Sequence, residues 1–195
     1  MSDPPLEPAD KPTRPWLRPL LLVLALFAVG GALKLAGVDI RPATVTEVVR
    51  ASGGWGIAVF VVLVVVANLA QVPAWVLVVG AGVVWDPITC WLTSYGACML
   101  SAAITYEVFL RAGGQGLRQM DKPWVKRILD GIHARPVRGV ALLRAIFMIA
   151  PPVTVALALA GLRRRDHMLG TAIGVLIPLT GIVWLLQLGW ELPFG

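Results

Sequence analysis

Charge is what this sequence is shortest of. Only 14% of its 195 residues are Asp, Glu, Lys or Arg, while 57% are hydrophobic and the mean hydropathy is +0.78. A water-soluble domain carries about 25% charged residues, so a soluble globular fold is excluded and an integral membrane protein is expected. Cysteine is scarce as well. Cys90 and Cys98 stand eight residues apart on one apolar segment, about 12 Å along a helix. That is too far for a disulfide within it, so both read as small packing residues and the redox compartment stays open. The two histidines, His133 and His167, fall in basic stretches that read as interfacial loops, without ligand-spaced partners. No Cys/His cluster, Gly-rich phosphate loop or nucleophile elbow occurs. The chain is therefore expected to hold no metal and no cofactor, and it does not read as an enzyme. The excess of 17 Lys+Arg over 11 Asp+Glu points away from nucleic acid, because in membrane proteins it records orientation and contact with anionic head groups.

What is present is a series of apolar stretches with informative interruptions. Residues 1–15 hold five prolines and balanced charge and are expected to be a disordered cytoplasmic terminus. Residues 16–195 read as one membrane domain. The first apolar segment, 16–37, is long for a signal peptide and no small-x-small site follows, so it reads as a retained span. Pro42 marks a helix start, with Thr44 and Glu47 at capping-box spacing. Val45, Val48 and Val49 share a face, which predicts a short amphipathic helix at the surface. Residues 55–85 are apolar but broken at Asn68, Gln71 and Pro73. Asp86-Pro87 then opens a long helix to about Leu110. Residues 111–138 form the most basic loop, inside which Asp121 and Pro123 open a second interfacial helix. A final span runs over 168–190.

Residues 139–162 decide the topology. They hold a single charge, Arg144, and Pro151-Pro152 in the middle. About 20 apolar residues cross a bilayer, so length alone permits a span. The flanks do not: Arg135 and Arg138 precede the stretch and Arg163, Arg164 and Arg165 follow it, and Lys and Arg collect on the cytoplasmic side. The prolines break the helix. The pattern predicts a re-entrant hairpin, tolerated at membrane depth only inside protein or around a water-filled cavity. Residues 55–85, turned at Pro73, have the same design. In both halves the proline is followed nine residues later by glycine (Gly82, Gly161), then by Asp86 or Asp166, then by Gly96 or Gly174. With a cytoplasmic N-terminus and two re-entrant hairpins, thirteen Lys/Arg fall inside, three outside, and Arg144 is embedded. A full span over 55–72 would put the basic loop outside, against the rule. The fold expected is thus all-α, with three transmembrane helices and two opposed re-entrant hairpins in an inverted repeat (55–110 and 139–190), flanked by interfacial amphipathic helices.

Four stretches carry a resemblance: VPAWVLVVGAGVVWDPITCWLTSYGACMLSA at 72–102, YEVFLRAGGQGL at 106–117, HARPVRGVALLRA at 133–145 and RRRDHMLGTAIGVLIP at 163–178. Together they resemble the DedA superfamily, in its VTT-domain (SNARE-associated Golgi protein) branch, over residues 55–190. The resemblance implies two re-entrant hairpins in inverted repeat and a role in moving lipids across bilayers, as in scramblases and carriers of undecaprenyl phosphate or phosphatidylserine-type lipids. For a bacterial member it implies the inner membrane. The chain departs from the family pattern in three places. Phe147 stands where proline is usual three residues after Arg144, VTVALALAG lacks a customary asparagine, and the spacing from Pro151 to Arg165 is altered.

Among single residues Arg144 is the sharpest candidate. It lies six residues beyond Arg138, about 9 Å deep if helical, and its fork suits a lipid phosphate. A structural ion pair or a snorkelling side chain would be the plainer account. Glu107, one turn inside Arg111, is either a proton-coupling carboxylate or a counter-ion of Arg111 or Arg144. Asn68 and Gln71 either line a cavity or bond between helices. Pro73, Pro151 and Pro152 are expected at hairpin tips, Gly80, Gly82 and Gly161 at close helix contacts, and Asp86 and Asp166 as helix caps. The function expected is transfer of an anionic phospholipid or lipid-linked phosphate between leaflets, in a multi-pass bacterial inner-membrane protein with a cytoplasmic N-terminus. Its partners would be membrane lipids, with protons as a coupling ion and a homo-oligomer allowed. The alternatives are a proton- or ion-coupled small-solute transporter, or a non-transporting membrane assembly or homeostasis factor.

Overall fold

The computed structural model describes residues 28, 41–70, 72–113, 130–148 and 151–189. The segment 1–15, the apolar stretch 16–37 apart from residue 28, Gln71, the start of the helix expected to open at Asp121 and the chain end from Trp190 lie outside the described residues. Among the described residues every regular element is a helix.

Helix α1, Pro42–Ala51, begins with proline in its first turn, where a missing N–H costs nothing. Its N-cap is Arg41 and no side chain caps it, so the expected capping box of Thr44 and Glu47 is not formed: both lie inside the helix. The buried face is Val45, Thr46 and Val49, while Val48 is exposed. Thr46 donates to the carbonyls of Pro42 (3.0 Å) and Gly80 (2.9 Å), which ties α1 to the element that follows the first break.

That break separates α2, Gly56–Leu69, from α3, Ala74–Gly82. Pro73 stands at the N-cap of α3 in extended backbone (φ −63°, ψ 128°) and ends helical continuity. The two arms fold back on each other, because their feet meet: Phe60 lies edge-on to Trp85 at 5.3 Å, and Gly56 faces both Val49 and Trp85. The chain leaves this hairpin where it entered. At 1.5 Å per residue α2 is about 21 Å long and α3 about 13 Å, each short of the roughly 30 Å hydrocarbon core.

The second hairpin repeats the design. Helices α5, Pro136–Phe147, and α6, Pro151–Leu159, close at the foot through Val140, Leu157, Ala160 and Leu162. At its tip Met148 takes a positive φ of 51°, a conformation a side chain rarely adopts. Gly161, expected at a close helix contact, instead takes φ 68° in the turn below α6. It serves the left-handed backbone that glycine allows at low cost.

Two long helices carry the hairpins. Helix α4, Pro87–Gly113, and α7, Arg164–Gln187, are each long and apolar enough to cross a membrane. They run antiparallel: Trp91 donates to Thr180 near one end (3.0 Å), and Tyr106 stacks on His167 near the other (4.5 Å). Their most apolar windows are only 39% and 33% buried in the protein, and Ile88, Leu92, Leu100, Ile173 and Ile177 face outward. An apolar exterior of this extent is what a lipid environment covers.

Because α3 leads directly into α4 and α6 into α7, the antiparallel pair sends the two hairpins in from opposite ends. Each entering arm packs on its own long helix, α2 on α4 and α5 on α7, while α6 crosses to α4 and α3 touches both. Val175, Leu179 and Val183 of α7 complete the core built by Phe60, Val64, Leu77 and Cys90.

Candidate functional site

The two hairpin tips converge on the middle of α4. From one side, Asn68 at the end of α2 donates to Ser101 (2.8 Å) and is 3.2 Å from Thr105. From the other, Arg144 in the last turn of α5 comes within electrostatic range of Cys98. Ser101, Thr105, Asn68 and Arg144 are all buried. Asn68 thus makes helix-to-helix bonds through its amide nitrogen, and its Oδ1 has no partner among the described residues.

Arg144 has no exposed surface. One of its terminal nitrogens donates to the carbonyl of Met148 at 3.4 Å, while Nε and the other terminal nitrogen have no partner among the described residues. A buried polar group left unbonded costs about 1–3 kcal/mol, and more if charged. The position is fixed by glycine. Helix α5 lies so close to α7 that a Cβ on Gly170 would stand 2.5 Å from Val140 Cβ, and one on Gly174 would stand 2.4 Å from the Ala141 carbonyl oxygen and 2.6 Å from Arg144 Cβ. Gly170 and Gly174 form a small-xxx-small pair, a spacing that lets helix backbones approach in membranes.

Glu107 is the counter-ion of other arginines. Its carboxylate is 3.2 Å from Arg164 and 3.9 Å from Arg111, and its side chain is 27% exposed, so it sits at the rim of the bundle. The expected pairing with Arg111 is present, but the nearer partner, Arg164, comes from α7 and was not legible from spacing. At the same end a cleft of about 460 Å³ is lined by Arg135, Pro136, Val137 and Arg138.

The remaining expectations sort by location. Pro73 stands at the first tip and α6 begins at Pro151. Gly80 is packed against Pro42 and Val45 of α1, and Gly82 against Leu186 of α7, so both serve close contact in the returning arm rather than at the tip. Asp86 caps α4: its Oδ1 accepts from the backbone N–H groups of Ile88 and Thr89, both at 3.1 Å. Hydrogen bonds from Thr89, side chain first and backbone second, hold its carboxyl below the ordinary 3.8. Asp166 does not cap. It lies inside the first turn of α7, whose N-cap is Arg163, where its charge complements the helix dipole. His167, read as a loop residue, is instead fully buried on α7. With Gly170, Thr171 and Gly174 it forms an i, i+3, i+4, i+7 stripe, the one pattern that could have revealed it.

The VTT domain family model matches residues 72–188. No curated protein and no solved structure matches the chain.

Proposed function

The chain belongs to the VTT-domain family of membrane proteins, and from that membership we propose that it moves an anionic phospholipid or lipid-linked phosphate between leaflets. The observation that carries this reading is Arg144: fully buried near the tip of the second hairpin, against Gly174 of α7, with two guanidinium nitrogens unpartnered among the described residues. Intramembrane charge is expensive and marks functional paths, and a guanidinium fork matches phosphate. In this reading the short arms α2, α3, α5 and α6 are re-entrant, α4 and α7 span, and residues 16–37 supply a third span. The distribution of charge supports it. Arg111, Arg135, Arg138, Arg163, Arg164 and Arg165 gather at the foot of the second hairpin, against Arg41 and Arg50 at the foot of the first. The basic foot is then cytoplasmic, and the cleft beside Arg135 and Arg138 is where an anionic head group first meets protein, with Glu107 holding Arg164 and Arg111 at the rim. A bacterial inner membrane and a cytoplasmic N-terminus belong to the same proposal, as does the absence of any bond-making step.

The test is leaflet exchange of fluorescent anionic phospholipids in proteoliposomes. Wild type exchanges well above empty liposomes. Arg144→Ala falls at least roughly tenfold, because it removes hydrogen bonds from a charged group, and Arg144→Lys falls between the two. Exchange unchanged in a folded Arg144→Ala protein sinks the reading. A flux of small solute that lipid does not compete for would put a coupled transporter in its place.

A further inference from the structure

The buried polar surface does not end at Arg144. On the α7 stripe that faces α5, Thr171 precedes Gly174 by three residues and His167 precedes Thr171 by four. Both are fully buried, and Thr171 Oγ1 and the two ring nitrogens of His167 have no hydrogen-bond partner among the described residues. The imidazole stacks on Tyr106 with an interplanar angle of 22°. It lies near the Ala102 carbonyl without completing a hydrogen bond to it, and close enough to Arg144 for the two to interact electrostatically. A phenyl ring would stack on Tyr106 equally well and leave nothing unbonded, so packing does not account for a histidine here.

The surroundings give the polar stretch a direction. From α4 the histidine is faced by Tyr106, with Glu107 the next residue, and from α5 by Arg144. Its own helix contributes Arg163, Arg164, Arg165 and Asp166, and α6 carries no charged residue. His167 therefore stands between the Glu107–Arg164 pair at the rim and Arg144 at depth. Positions 167 and 174 are separated by about 10 Å along α7. Arg144 can only donate, and the Thr171 hydroxyl and the imidazole can each donate as well. A row of donors beside a guanidinium is chemistry for phosphate oxygens.

We propose that His167 and Thr171 form the outer half of a polar path whose inner end is Arg144, and that His167 hydrogen-bonds the phosphate of an anionic ligand on its way between the rim and Arg144. The proposal rests on the reading above only in taking Arg144 to receive a phosphate.

The chain has two histidines, so nitrogen-15 histidine NMR of the full chain carrying His133→Gln, in phosphatidylcholine nanodiscs, reports on His167 alone. Short-chain phosphatidic acid should shift the His167 ring nitrogens saturably, with affinity at least about tenfold weaker when Arg144→Ala is added. Inorganic phosphate is run beside it. If free phosphate shifts them equally well, the path stands and the lipid reading falls. A second variant, His167→Phe, keeps the stack on Tyr106 and should slow leaflet exchange about tenfold while leaving the thermal unfolding midpoint in place. Unmoved ring nitrogens in a sample that exchanges lipid, or His167→Phe exchanging at the wild-type rate, overturn the role of His167. Shifted nitrogens in a sample that exchanges nothing keep the anion path and overturn lipid transport instead.

Discussion

At Gly174 the space a side chain would need is already occupied by backbone: the Ala141 carbonyl oxygen is 2.4 Å from where a Cβ would stand. Backbone cannot swing aside as a side-chain tip can, so Gly174→Ala should push α5 off α7 and destabilise by about 1–3 kcal/mol, read as a lower unfolding midpoint in detergent. Gly96 sits at the matching place in the first half, but a Cβ there meets nothing within 4 Å. Gly96→Ala should therefore be neutral, or stabilise by up to about 1 kcal/mol through helix propensity. Equal losses for the two variants would refute the contact. The matched spacing of these glycines was visible in the sequence, while the difference between them depends on which face each helix turns to its neighbour. The same limit separates Arg144 from His167. A lone charge in an apolar run can be read directly, whereas a histidine after three arginines looks like surface until its helix is known to begin at Arg164.

Among elements, the breaks were the most legible feature, because proline acts locally: α3 follows Pro73 and α6 starts at Pro151, as the lost N–H groups require. The Asp86 cap was equally local. Its carboxyl is held below 3.8 in the folded chain, so its contribution is complete above that value and fades as pH falls through the lower, folded one. The unfolding midpoint of wild type should thus exceed that of Asp86→Asn at neutral pH, and the gap should narrow below about pH 4. A gap that widens in acid would reverse the assignment. The course of the second hairpin is tested by labelling. Single cysteines at Arg138 and Arg163, both exposed, in a protein with Cys90 and Cys98 replaced, should react from the same side of the membrane. Labelling from opposite sides would make 139–162 a span. What local sequence could not supply was the partner of each arm, since apolar arms such as α3 and α6 present nearly uniform faces. Thr44 shows the opposite failure, a capping spacing that the chain does not use because Arg41 already starts the helix.

For the whole molecule, the all-helical order of broken stretch followed by long helix, present in both halves, was readable from the sequence. The interlocking was not, because it depends on contacts such as Gly82 with Leu186 and Trp91 with Thr180, about a hundred residues apart in sequence. That interlocking sets the order of events at birth. Phe60, Val64 and Leu77 are synthesised about a hundred residues before Val175, Leu179 and Val183, the residues that close over them. The first half therefore has an open seam until the second half is made, and it is the docking of α7 that closes it.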